Sequence, residues 1–380
     1  MVDPLKAAVF SSQLPRRCLD LGEPFRICRA LCAMAYSEAA FGNRARSERL
    51  LEAIDRAAAE DGSELARFYA ALGWTANRFM GHADYQASLV AAKQGLELWQ
   101  RSGKIRGWEV DVLEQFACWC LQLLGEIPEL KRRVQNKIQE ALDTGNRYAE
   151  VVFRVCFPYT HFADDDPDSA YRETVEAMST WVPASHLFGP PNYWAAKTKA
   201  LYVAYTGQEG ALTDELAEEW RRLDQALLGR VGIIRMEALE MRGLVAASRA
   251  RLASQRGDGP AFARFVLELK GHSRKIRKTS FVTSEAIARL LDASVLTLER
   301  DREGLIAALE FLKSYSEEIG MKLGAVSVVR RLGQVLGKDR GRALIEESDA
   351  RFREARVVNP EKFTRLSLPV GWADVDGFFC

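Results

Sequence analysis

The chain has 380 residues, 48% of them apolar, with 53 basic and 52 acidic side chains and a net charge of +1. That balance argues against a general nucleic-acid or anionic-membrane binder, whose affinity rests on surplus Lys and Arg, and no window approaches the ~20 apolar residues of a membrane span. Seven cysteines, an odd number, and the lack of any Asn-x-Ser/Thr sequon point to a reducing, cytoplasmic setting with free thiols.

From the N-terminus, MVDPLKAAVFSSQLP lacks the basic start and long apolar stretch of a signal peptide, and Asp3-Pro4 reads as a helix start. Turn markers then recur at Gly42, Gly81, Gly125, the run Asp164-Asp165-Asp166, Gly207, Gly257, Asp301 and Gly337, a period of about 40 residues. Between them the apolar residues follow helical spacing. In 44–60 the set Leu50, Leu51, Ile54, Ala57, Ala58 forms one stripe, and in 302–320 Leu305, Ala308, Leu309, Leu312 and Ile319 form another. The clearest hairpin spans 63–102, with Ser63 as N-cap, Gly73 and Gly95 as points of close helix approach, and the turn at Gly81–Tyr85. Proline falls at segment edges, at Pro4, Pro24, Pro128, Pro167, Pro190-Pro191 and Pro260, where its missing N–H costs little.

No alternating strand pattern occurs, so the predicted class is all-α. The period and the hairpin resemble a degenerate tetratricopeptide-like solenoid: a right-handed superhelix of about eight antiparallel helical hairpins over 1–357, with an irregular tail over 358–380. Segment 158–194 is the least regular part of the array.

Catalytic and cofactor signatures are missing. The Gly-Lys pairs at Gly103-Lys104 and Gly337-Lys338 are followed by Ile105 and Asp339, so neither is a P-loop. Kinase catalytic loops, a Gly-x-Ser-x-Gly elbow and a His-Glu-x-x-His helix do not occur. His82, His161, His186 and His272 are scattered and read as turn or surface residues. Cys28 and Cys32 share a helical face and read as buried small apolar residues, while the thiols of Cys118-Trp119-Cys120 point to different sides of a helix. The acidic run at 164–168 lacks the glycine and terminal glutamate of a calcium loop and fits a helix N-terminus. The basic stretch 270–278 fits a helix C-terminus. The expectation is a non-enzyme without cofactor or metal.

Three stretches, DPLKAAVFSSQLPRRCLDLGEPFRICRAL, LLGRVGIIRMEALEMRGLVA and GKDRGRALIEESDARF with NPEKF after it, resemble the helical C-terminal region of large bacterial serine/threonine protein kinases that carry a signal-transduction ATPase module. The resemblance implies a regulatory or docking array, with kinase and ATPase domains as partners in cis; their catalytic residues have no counterpart here. The chain departs from that arrangement at its end, where Pro369-Val370-Gly371 runs on to Cys380.

The expected function is a non-catalytic scaffold that holds a protein or peptide in a concave groove. Arg78, Trp108, Asn192, Tyr193, Lys197 and Arg235 are the candidate contact residues, because exposed aromatics and arginines on the inner helices concentrate binding energy. Core packing is the default for Trp194, Leu201 and Tyr205, whereas Tyr193 lies off that stripe. The alternative is a small-molecule sensor with its ligand in the aromatic-rich middle, 148–205.

Overall fold

Proline and short polar side chains start the helices, and glycine ends many of them. The computed structural model describes residues 4–103, 107–181, 188–208 and 211–376, which are helical with no strand among them. The first six helices are α1 (Pro4–Leu21), α2 (Pro24–Ala40), α3 (Arg44–Asp61), α4 (Glu64–Ala76), α5 (Tyr85–Arg101) and α6 (Trp108–Leu124). The middle holds α7 (Ile127–Thr144), α8 (Arg147–Cys156), the single turn α9 (Tyr159–Phe162), α10 (Pro167–Ser179), α11 (Pro190–Thr206) and α12 (Ala211–Gln225). After a 3-10 turn at Leu227–Arg230 come α13 (Gly232–Gln255), α14 (Gly259–Ile276), α15 (Ser284–Leu298), α16 (Arg302–Glu318), α17 (Lys322–Leu336), α18 (Lys338–Glu354), α19 (Pro360–Thr364) and α20 (Ala373–Asp376).

Local chemistry explains these boundaries. Prolines occupy the first turns of α2, α7, α10, α11, α14 and α19. The side chains of Ser63, Asp84, Asn146, Asp166, Asp258, Asp301 and Asn359 accept a backbone N–H three residues on. Each such cap contributes about 1 kcal/mol by satisfying a donor that the helix leaves unpaired.

The turn markers fall inside antiparallel pairs: α2/α3, α4/α5, α6/α7, α8–α9/α10, α11/α12, α13/α14, α15/α16 and α17/α18. Gly81 is the exception in kind. It closes a π-helical turn, Asn77–Gly81, that extends α4, and the chain reverses at Ala83, whose φ is +54°. First helices touch one another along one layer, α2 to α4 to α6 and α8 to α11 to α13 to α15. One hydrophobic cluster runs from Cys28 to Val370, as stacked units burying each other require.

Small residues set the helix spacing. A Cβ on Gly73 would lie 2.5 Å from Leu51 Cδ2, and one on Gly95 would lie 2.6 Å from Leu113 Cδ2. A close backbone approach joins α17 and α18, where a Cβ on Gly341 would sit 2.3 Å from the carbonyl oxygen of Gly333. Backbone cannot swing aside as a side chain can. Gly341→Ala is therefore expected to lower the unfolding free energy by about 2–3 kcal/mol. Gly271→Ala in α14, with no atom within 4 Å of the new methyl, is expected to stabilise by up to ~1 kcal/mol. Denaturant titration of both variants measures the contrast.

The array also touches itself across long sequence distances. Gly42 lies against Ser280, Gly232 against Ala40 and Phe41, and Gly320 against Ala83 and Tyr85. The helix α17 meets α6, and α19 meets α11. The Val358 N–H donates to the Ala163 carbonyl at 2.8 Å, while Asn359 and Lys362 hold Asp165 at 2.9 and 3.0 Å. Early turns thus rest on late ones, a contact that hydrophobic periodicity does not encode. The segment from 358 onward, read from sequence as irregular, contributes the helix α19 and the buried side chains Phe363, Leu366, Leu368 and Val370.

Candidate binding site on α11 and α13

The α11 and α13 helices bring four polar side chains together. Tyr193 and Lys197 are four apart on α11, and Glu237 and Glu240 are three apart on α13, so each pair shares a helical face. The Tyr193 hydroxyl donates to Glu237 Oε2 at 2.6 Å, and Lys197 Nζ donates to the same oxygen at 3.2 Å. The Glu240 carboxyl makes no hydrogen bond or ion pair among the described residues. Burial pushes its pKa up to about 7 against the pull of Lys197, with Glu237 adding to the rise. Burial would lower the Lys197 ammonium, but the carboxylates of Glu237 and Glu240 outweigh it and hold that group above its ordinary value. One cation thus faces two acids. Water reaches them, since Lys197 and Glu237 keep 25% and 26% of their side-chain surface.

Aromatic rings surround this cluster. Trp119 on α6 lies 6.0 Å from Trp194 and 5.3 Å from Phe116, and Phe116 lies 5.9 Å from Tyr36 on α2. Phe79, from the π-helical turn, stacks edge-on to Phe116 and Tyr85 at 5.3 and 5.2 Å. Trp119 Nε1 donates to Cys156 Sγ at 3.2 Å. Four hairpins therefore contribute to one row of rings. Such contacts hold side chains in fixed orientations beyond their burial.

A cleft of about 450 Å³ opens at the N-terminal ends of α6 and α8, lined by Gly107, Trp108, Asp111, Asn146 and Tyr148. Asp111 is fixed by Lys137 at 2.8 Å and by Asn146 at 2.9 Å. Trp108 is 63% exposed and Tyr148 36%. Burial pushes the Tyr148 phenol up to about 12, so it stays a neutral donor and acceptor. Tyr148 meets Trp181 at 5.9 Å.

The six sequence-predicted contact residues divide. Tyr193 and Lys197 come together on Glu237, and Trp108 stands in the cleft. Tyr193 corrects its reading as a surface aromatic: its ring is 1% exposed because α11 is covered on nearly all sides. Asn192 accepts the Gly189 N–H at 3.1 Å and so starts α11. Arg78 lies over the Trp74 ring at 5.4 Å. Arg235 is exposed in the first turn of α13. Glu237 and Glu240 were missed. A signal for them existed, since both sit among Met236, Ala238, Leu239 and Met241, which are all buried.

Other motifs find structural duties. Cys28, Cys32, Cys118, Cys120 and Cys156 are buried and free, and burial pushes Cys28 up to about 11 and Cys32 and Cys120 up to about 12. Cys118 faces Glu114 and Arg133, and Cys120 faces Ser88, so their thiols do diverge. In the acidic run, Asp164 pairs with Lys131, Asp165 with Lys362, Asp166 caps α10, and Asp168 accepts the Tyr202 hydroxyl. Among the described residues no cluster of His, Cys, Asp and Glu could hold a metal. In the basic stretch, Lys270 pairs with Glu299, and Arg277 pairs with Asp292 and Glu285. His272 is no surface residue: it is buried in α14 beside Glu268. His186 and the loop 182–187 lie outside the described residues, as do Asp3, Lys104, Ile105 and Cys380.

No protein-family model, no curated protein and no solved structure matches the chain. No helix among the described residues is long and apolar enough to cross a membrane.

Proposed function

We propose that this chain is a non-catalytic interaction scaffold, a right-handed superhelix of about eight hairpins that holds a protein segment along its inner helices. One observation carries the reading: a row of rings from α2, the π-helical turn after α4, α6 and α11 lies by water-reachable Lys197 and Glu237, and α6 also carries the exposed Trp108. Exposed aromatics next to fixed polar groups are where association energy concentrates. A peptide laid there gains ring contacts along its length and directional bonds at the acid–lysine cluster. The three stretches similar to kinase-associated helical regions support a place beside a kinase–ATPase in the cytoplasm. Sequencing the DNA upstream of the Met1 codon tests that link. An open frame into a P-loop and kinase signatures supports it, and a stop codon before a ribosome-binding site contradicts attachment in cis.

The shallow depression beside Trp108 favours a second reading, a small-molecule sensor, because the exposed rings of Trp108 and Tyr148 stand next to the fixed polar groups of Asp111 and Asn146. Thermal unfolding across a metabolite panel separates the two. A compound that raises the wild-type midpoint by several degrees and leaves Trp108→Ala unmoved supports the sensor. A flat panel, with a protein partner that Trp108→Ala fails to retain, supports the scaffold.

A further inference from the structure

The C-terminal segment covers a set of buried arginines that the carboxylates of its described residues do not balance. Arg330 and Arg331 from α17 meet Glu361 of α19, and Arg330 also meets Asp349 of α18 at 2.9 Å. Arg331 further donates to the Leu368 carbonyl at 2.9 Å. Beside them, Arg251 of α13 and Arg365 share a single carboxylate, Asp374, at 3.7 and 3.9 Å, and Arg365 also lies 3.8 Å from Glu361. Among the described residues neither guanidinium makes a hydrogen bond: those separations are too long, and the Nε donors of Arg251, Arg331 and Arg365 have no partner there. Arg251 is nevertheless more than nine-tenths buried. Its head fits because position 207 is glycine; a Cβ there would lie 2.1 Å from Arg251 Nη2.

Among the described residues four guanidinium groups thus face three carboxylates, and burial pulls both Arg251 and Arg331 below their ordinary pKa. A buried cation without hydrogen bonds is costly to maintain. Forked guanidinium donors match oxyanions, which accept two parallel bonds from each. A phosphate dianion in place of the Asp374 carboxylate would close the charge count and use the idle donors. Water reaches the spot, since Arg365 and Asp374 keep 20% and 17% of their side-chain surface.

We infer that Arg251 and Arg365 form a phosphate-type oxyanion site, which Asp374 of the C-terminal segment occupies as an internal, exchangeable stand-in. Glu361 anchors the segment on α17, and Asp374 is the part that yields. This site is separate from the inner-helix cluster and does not depend on the scaffold reading.

Calorimetric titration of inorganic phosphate into the full chain at pH 7.5, against chloride at matched ionic strength, is the test. Asp374→Asn removes the competing charge and is expected to bind phosphate about tenfold more tightly than wild type. Adding Arg251→Met, or Arg365→Met at the more exposed edge, is expected to abolish that binding. No phosphate binding by Asp374→Asn beyond the chloride control overturns the inference, as does binding that survives both arginine replacements. O-phosphoserine in a parallel arm separates the sources. Equal affinity assigns a free oxyanion and tighter binding assigns a phosphorylated side chain, and either supports the site.

Discussion

Replacing Glu361 by alanine is expected to destabilise the chain by about 3 kcal/mol, among the largest single effects here. The variant leaves Arg331, 4% of whose side-chain surface is exposed, without its carboxylate, takes one of the two carboxylates from Arg330 and removes the acceptor of Gln334 Nε2. Removing one partner of a buried pair costs more than the pair itself contributes, because the survivor stays buried and charged. The pH dependence has a defined sign. Burial alone would raise the Glu361 pKa, but Arg331 and Arg330 overcome it and hold the group at about 2. A carboxyl depressed in the folded state contributes stability above its unfolded pKa of about 4.3, lost as pH falls toward the folded value. About 2 kcal/mol should disappear between pH ~4.3 and ~2 after allowance for solvent screening of the part-exposed Glu361. Denaturant titration of wild type across that window measures the slope, and Glu361→Ala should flatten it. Hydrogen exchange should show 358–374 opening first, since α19 and its neighbours are tied to the array through this pair and Asp165.

Glu240→Gln is expected to act in the opposite direction. Burial raises the folded-state pKa of Glu240 to about 7, above the unfolded value of about 4.3. A raised group contributes stability fully below pH ~4.3 and loses it as pH climbs through ~7. The neutral amide escapes that loss, so Glu240→Gln should be about 2–3 kcal/mol more stable than wild type at pH 8 and little different at pH 4. Unfolding midpoints at the two pH values check it. Equal midpoints at pH 8 would mean that water solvates the Glu240 carboxylate as well as it does in the unfolded chain.

Much of the fold was legible because hairpin arrays write their turns into the sequence. Gly42, Gly125, Gly207, Gly257 and Gly337 have φ between +63° and +82°, a backbone state that glycine enters freely and other residues resist. Their spacing therefore exposed the hairpins directly. Ser63 was readable as an N-cap for a similarly local reason: its hydroxyl accepts the Ala66 N–H at 3.1 Å. The contacts of Gly42 with Ser280 and of Asp165 with Lys362 were not readable, since their register depends on summed rotations between units. The short helix α19 within the tail was not readable on the same ground. Asn359-Pro360 starts a helix rather than ending one, and Phe363 packs on Tyr159 from a distant hairpin as well as on Phe352 of α18.

The candidate site was half legible. Tyr193 and Lys197 attracted attention as an aromatic and a cation near a helix start, and both bind Glu237. Their partner was not found because a glutamate on a helix is ordinarily a solvated face. What marks Glu237 and Glu240 is that buried residues flank them on both sides. Asn192 and Arg78 fell to local duties, a helix start and a ring contact, which a list of residue types cannot separate from binding.

Affinity capture with paired variants tests the scaffold most directly. Trp108→Ala and Tyr148→Ala alter the exposed rings of the cleft, whereas Leu267→Ala removes an exposed side chain of α14, 65% accessible. The account predicts that a partner retained by wild type and by Leu267→Ala is lost from both ring variants. Retention by the ring variants, or loss confined to Leu267→Ala, would contradict it and move the binding surface to the outer helices.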